Sequence, residues 1–338
     1  MSDWFTTLFG FPETTQDEVR ARLVLDGERL TSTVTGESWS VGCFTTPSLA
    51  ELRTRVATIP PAGPTTLRHE AVDDALALHA RPGEEGALFQ AASQFNCLEF
   101  PGPTTLPEHG VTSYAHDPTQ GPACALAAAP AAVYRHLYAP VGGGLGQTAD
   151  RQIDNLAGVA ELLALDPPGW TVKNGYVDST TAALARVDAA LDAHPREDVL
   201  GALRIGLQSR AEVVFEGRFR RVTGRRPHVS QAWCSALSCG YSRAPLASWE
   251  RLARVVLDAT YEATLLAAAV DRAEGRGSGR VWLTFVGGGV FANDAAWIHG
   301  AIGRAVGRAQ GLGLDVRLAH YRAVRPDVAR AVDRAIGG

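Results

Sequence analysis

The 338-residue chain has a single lysine, Lys173, and that scarcity removes a group of chemistries at the outset. Neither a phosphate-gripping P-loop lysine nor a Schiff-base lysine is available beside its glycine-rich segments. Cysteines are few. Cys43, Cys97, Cys124, Cys234 and Cys239 form an odd set at unrelated spacings with no CxxC pair, which argues against a disulfide framework and against a zinc site. Reduced thiols are expected. A basic excess is missing as well: the formal net charge is -4 and the arginines are scattered, densest from Arg218 to Arg226, so nucleic acid is not expected as a partner. Long apolar runs are lacking. The alanine-rich stretch after Cys124 is broken by Pro130 and Arg135 and falls short of the roughly 20 residues that span a bilayer, so no membrane association is expected. The N-terminal MSDWFTTLFGFPETTQDE has no basic region, which leaves no signal-peptide reading and makes the cytoplasm the expected compartment. No internal repeat is found.

What is present is 46% hydrophobic residues, enough for a substantial core in a globular protein of one large α/β unit with additions, or of two domains. Residues 21–45 alternate apolar and polar side chains around Asp26-Gly27 and Thr35-Gly36-Glu37, the pattern of a small antiparallel meander. A short helix follows Thr46-Pro47-Ser48, and the proline-dense IPPAGPTT at 59–66 reads as a connector. Residues 1–65 are therefore expected to form a β-rich N-terminal extension, and residues 66–338 the main domain. In the main domain, strands are expected at Ala87–Phe95, Trp170–Val177, Leu203–Phe215, Val229–Leu237, 281–286 and Leu314–Tyr321. Helices are expected at Gly121–Tyr138, Gln147–Leu165, Thr180–Ala193, Trp249–Glu274, 294–309 and from Pro326. Such alternation predicts an α/β fold, a mixed or largely parallel sheet covered by helices on both faces.

In open α/β sheets ligands gather at the carboxyl ends of strands, which directs attention to three segments. In VGGGVFANDAAW, 286–297, Gly287, Gly288 and Gly289 let the backbone approach an anion. The amides around Val290, Phe291, Ala292 and Asn293 have the makings of a nest before a helix that Asp294 opens. A plain strand-to-helix turn with an aspartate cap accounts for the same residues. In FQAASQFNCLEF, 89–100, the side chains of Gln90, Gln94, Asn96 and Glu99 are more polar than a buried strand tolerates without partners. In YAHDPTQGPACALAAAP, 114–130, His116, Asp117, Thr119 and Gln120 precede a helix with almost no bulk in its first turns, suited to a ligand across its end or simply to close packing. Other segments read more simply. Gly142–Gly146 is a flexible loop, Asn174-Gly175 a turn, and Cys234 and Cys239 buried structural thiols.

The order of these parts resembles the macrodomain superfamily, and within it the poly(ADP-ribose) glycohydrolase branch. There a loop of the form GCGAFGGD ends a late strand and wraps the diphosphate of ADP-ribose. Here GGGVFAND is similar, with Gly287, Gly289, Phe291 and Asp294 matching position by position. FQAASQFN is similar to the family's strand ending in Ala-Asn, so that Asn96 corresponds to the asparagine near the distal ribose. The resemblance spans roughly residues 85–325. This chain lacks the glycine cluster and the Gln-Glu-Glu motif that follow that asparagine. The resemblance therefore implies not cleavage of poly(ADP-ribose) chains but the divergent macrodomain-like hydrolases that release ADP-ribose from modified protein side chains, arginine above all. It implies Asp117 and Asp294 as the catalytic acids with Glu99 third. It further implies Asn96 and Gln120 on the ribose hydroxyls, the amides of Gly288 to Ala292 on the diphosphate, Phe291 flanking the distal ribose, and Gln94, Gly287 and Asn293 among the other ligand-binding residues. ADP-ribose or an ADP-ribosylated protein is the implied partner, with no cofactor and no metal. The rival expectation is a module that binds ADP-ribose or a related nucleotide without turning it over.

Overall fold

The computed structural model describes residues 3–336. Seven strands build its main sheet: β1 (Cys43–Thr45), β2 (Thr66–Val72), β3 (Leu88–Ala92), β4 (Gly206–Glu212), β5 (His228–Cys234), β6 (Arg280–Leu283) and β7 (Asp315–Tyr321). Their spatial order is β1-β4-β5-β3-β6-β7-β2. Strands β5, β3, β6, β7 and β2 run parallel, whereas β4 is antiparallel to both β5 and β1. The result is the mixed α/β sheet that the alternation of elements implies, with helices on both faces.

The period of two along the central strands divides the apolar residues between two cores. Leu88, Val281, Leu283, Ala232 and Cys234 face the long helix Leu246–Ala273 and the helix Ala295–Arg308. Phe89, Trp282 and Trp233 face the other way, toward the helices Gln120–Ala127 and Ala129–Leu137. The expected helix Gly121–Tyr138 is thus two helices. The break falls at Ala128, whose backbone leaves the helical region at φ -114°, ψ 55° just ahead of Pro130. The expected helix Gln147–Leu165 shortens to Ala157–Leu163. Trp170–Val177 is a hairpin, Thr171–Lys173 with Tyr176–Asp178, turned by Asn174 and Gly175, both at positive φ.

The N-terminal meander is present as strands Leu23–Asp26, Arg29–Ser32 and Ser38–Ser40. It does not stand apart. Trp4, Phe5, Phe9 and Trp39 share one core with Phe89, Trp233 and Trp282, and β1 adds an edge to the main sheet. The following helix, Leu49–Val56, is opened by a capping box between Ser48 and Glu51 and buries Leu49 and Leu52 in the opposite core. No helix among the described residues is long and apolar enough to cross a membrane.

Candidate active site

The parallel strands β3 and β6 lie side by side and end together, and the segments leaving their carboxyl ends form the walls of a cleft. Ala92, Ser93, Gln94, Glu99 and Phe100 come from the segment after β3, and Thr284 to Gly287, Gly289, Val290 and Phe291 from the segment after β6. Asp117, Thr119, Gln120, Gly121 and Pro122 close it from the start of the next helix, leaving an empty volume of about 690 Å³. The three segments singled out in the sequence therefore meet in one place.

Part of the unusual polarity of residues 90–99 resolves into partners; one oxygen each of Gln94 and Glu99 does not. Gln90 donates to Thr264 Oγ1 at 2.9 Å and accepts from the Thr284 amide at 3.3 Å. Gln94 donates to the Phe100 carbonyl and to the Tyr176 hydroxyl, each at 3.3 Å, while its Oε1 stays unpartnered in the cleft wall. Asn96 donates to Gln152 Oε1 at 2.9 Å and accepts from the Leu98 amide at 3.0 Å. Its carboxamide is fully occupied, and Asn96 lies behind the wall rather than among the residues that line the cleft, contrary to the ribose-facing position that the resemblance implies. The acid of the segment is Glu99. It is 2% exposed, and its Oε1 has no hydrogen-bond partner among the described residues.

Glu99 sits over the start of the helix Gln120–Ala127. A Cβ placed on Gly121 would lie 1.9 Å from Glu99 Oε2 and 2.1 Å from the Ala92 carbonyl oxygen, so only glycine leaves room for this carboxyl. Gln120 fixes the approach by accepting from the Ala92 amide and donating to the Gln90 carbonyl, both at 2.8 Å. Removal from water pushes the Glu99 carboxyl up to about 8; the Ser93 hydroxyl and the Arg135 charge oppose that rise, and the charge of Asp117 adds to it. At neutral pH Glu99 holds its proton, the state a general acid needs.

The other two acids stand differently. Asp117 is half-buried on the cleft rim, and its Oδ1 accepts from the Thr119 amide at 2.8 Å and the Thr119 hydroxyl at 2.6 Å. Asp294 is exposed, accepts from the Ala296 amide at 2.7 Å as the N-cap of the helix Ala295–Arg308, and is not among the cleft residues. The cleft-facing position expected of Asp294 is therefore not seen: as the N-cap its side chain is turned to the helix's own first amides.

The glycine loop is divided in the same way. The amides of Gly288, Ala292 and Asn293 are spent inside the loop on the carbonyls of Phe285, Gly289 and Gly287, at 3.1, 2.9 and 3.0 Å. Asn293 also pins the loop through its side chain, which donates to the Leu237 carbonyl at 2.8 Å. Gly288, Ala292 and Asn293 therefore shape the cradle without lining it. Gly287, Gly289, Val290 and Phe291 line the cleft, and their four amides have no acceptor among the described residues. Unpaired, nearly consecutive N–H groups are the makings of an anion nest. The Phe291 ring is held edge-on by Tyr176 and Tyr241, at 5.5 and 5.9 Å between centroids.

A second recess opens beside the first and shares Thr119, Gln120, Thr284 and Phe285 with it. Its lining includes Asp73 and Asp74 after β2, His320 and Tyr321 at the end of β7, and Arg218. Tyr321 presents its ring to solvent, 71% exposed. Sequence reasoning missed this half of the cleft, although the available signal was the carboxyl ends of two further strands, β2 and β7. Among the described residues no group of three or more His, Cys, Asp or Glu side chains is placed to hold a metal ion.

No protein-family model matches the chain, and no curated protein does. Among solved structures it is similar to poly(ADP-ribose) glycohydrolase from Thermomonospora curvata, at 15% identity and a TM-score of 0.45, covering 95% of this chain and 96% of that one. It is also similar to poly(ADP-ribose) glycohydrolase from Deinococcus radiodurans in complex with ADP-ribose, at 15% identity and a TM-score of 0.46, covering 87% of this chain and 93% of that one.

Proposed function

We propose that this protein is a hydrolase that releases ADP-ribose from modified protein side chains, with the arginine linkage preferred. The observation that carries the reading is the buried Glu99 carboxyl, with its Oε1 unpartnered, in the wall of a cleft whose other wall offers four free amides. A cleft of two joined recesses with a nest of amides suits a ligand with two sugar-bearing ends and an anionic middle. The amides of Gly287, Gly289, Val290 and Phe291 take the diphosphate, and Gln94 Oε1 accepts from a hydroxyl of the distal ribose. The nucleoside end falls to the recess of Asp73, Asp74 and Tyr321.

In this reading the bond between the anomeric carbon and the linking atom breaks through an oxocarbenium-like state while Glu99 passes its proton to the leaving atom. Water adds to the anomeric carbon and returns a proton to Glu99, which balances the cycle without cofactor or metal. Asp117 supports the arginine preference, because a rim carboxylate pairs readily with a guanidinium leaving group. Proteins ADP-ribosylated on arginine, on acidic residues and on serine, incubated separately with the enzyme, provide the test through the ADP-ribose released. Release is expected first from arginine. Binding of ADP-ribose with no release from any substrate would leave a binding module, and absence of binding at millimolar ligand would dismiss both.

A further inference from the structure

Behind Glu99 lies a charge that the fold does not explain. Arg135, in the last turn of the helix Ala129–Leu137, is the one arginine among the described residues that is buried, at 1% exposure. It forms no ion pair there. Its guanidinium carbon lies 3.6 Å from the centroid of the Trp233 ring, its Nε donates to the Cys97 carbonyl at 3.3 Å, and its Nη1 has no partner. Burying a guanidinium without an anion is strongly unfavourable, so retaining one points to an anion that is present for part of the time. The Cys97 carbonyl it grips belongs to the segment that carries Glu99 two residues later.

We propose that Arg135 is a positioning residue for Glu99: it fixes the Cys97–Glu99 turn and balances the carboxylate that appears when Glu99 gives up its proton. The inference rests on the hydrolase reading above for its use, but not for its test. The titratable groups that face Arg135 are Glu99, Tyr114, Cys97 and Cys124. Burial pushes Cys97 up to about 12 and raises Tyr114 and Cys124 further, so these three stay neutral. Burial lowers Arg135 only to about 10, so it stays charged. Glu99, which also faces Ser93 and Asp117, is then the one neighbour whose charge changes near neutral pH. Glu99 thus meets an opposite charge from behind and a like charge, Asp117, from the rim.

The experiment is direct titration of the Glu99 carboxyl by NMR in protein labelled with carbon-13 at glutamate carboxyls, using the resonance missing from Glu99→Gln for assignment. Arg135→Met is expected to raise the Glu99 titration by about one pH unit or more. Arg135→Lys, which keeps a cation, is expected to restore most of that shift. Should the Met variant not fold, Arg135→Gln, which keeps a donor for the Cys97 carbonyl, replaces it. With an active substrate the alkaline limb of the rate profile moves in the same direction. A titration unmoved in the neutral variant, or moved as far by Lys as by Met, overturns the proposal. Because the titration needs no substrate, a protein that releases no ADP-ribose refutes the hydrolase reading and leaves this inference standing or falling separately.

Discussion

Replacing Glu99 by glutamine removes an ionisable group whose burial the fold has to tolerate, and the cost can be worked from the site. The carboxyl ordinarily titrates near 4.5 and is pushed up to about 8 in the folded chain. The folded protein therefore binds this proton more tightly than the unfolded chain does. Below about pH 4.5 both states are protonated and Glu99 contributes no pH dependence. Between about pH 4.5 and 8 the unfolded chain releases the proton first, so rising pH erodes stability. The slope approaches 1.4 kcal/mol per pH unit, and about 5 kcal/mol is lost by pH 9. Water reaching the cleft would reduce this. Glu99→Gln keeps the shape and abolishes the titration. Urea unfolding of both proteins at pH 5, 7 and 9 should show the glutamine variant gaining on the wild type by about 3 to 5 kcal/mol from the lowest to the highest pH. Any unpaired-amide cost enters as a constant offset. Parallel stability curves for the two proteins would mean that Glu99 is not protonated at neutral pH, and the general-acid assignment would fall with that result.

Three further outcomes follow from the same geometry. Gly121→Ala puts a methyl group against Glu99 Oε2 and the Ala92 carbonyl; it should destabilise by about 1 to 3 kcal/mol and reduce ADP-ribose release more than ADP-ribose affinity, and retained turnover would contradict the placement of Glu99. Gly287→Ala forces a side chain onto a backbone at φ 80°, 2.5 Å from Ala236 Cβ. It should weaken ADP-ribose binding by about tenfold or more in calorimetry, and unaltered affinity would remove the loop from the ligand site. Asp294→Ala should cost about 1 kcal/mol in thermal or urea unfolding, as loss of an N-cap does, with turnover kept within a few-fold of wild type. A hundredfold loss of turnover there would return Asp294 to the chemistry.

Much of the site was legible because its parts are local. The apolar run before Gly287, the polar side chains from Gln90 to Glu99 and the small-residue helix after Gln120 each announce themselves in a dozen residues. The rule that ligands gather at strand ends brings them together. What escaped was any property set by neighbours distant in the chain. Gln94, Asn96 and Glu99 look alike as polar residues near a strand end, and their roles separate only once Tyr176 and Gln152 arrive to accept from the amides of the first two. Likewise Asp117 lies just before one helix and Asp294 caps another, and each spends an oxygen on the backbone just ahead of it. The second recess escaped because its walls, Asp73 and Tyr321, come from strands that flank the loop only in the sheet order β6-β7-β2.

By itself the sequence determined the class of fold, through apolar periods that can be buried only in a sheet between helices, and the tight turn after β6, through Gly287, which tolerates a positive φ. Tertiary structure alone decided that the Glu99 carboxyl titrates high. Protonation depends on how much water and charge surround a carboxyl. For Glu99 those surroundings are Ser93 beside it, Arg135 behind it and Gly121 beneath it, brought close by folding.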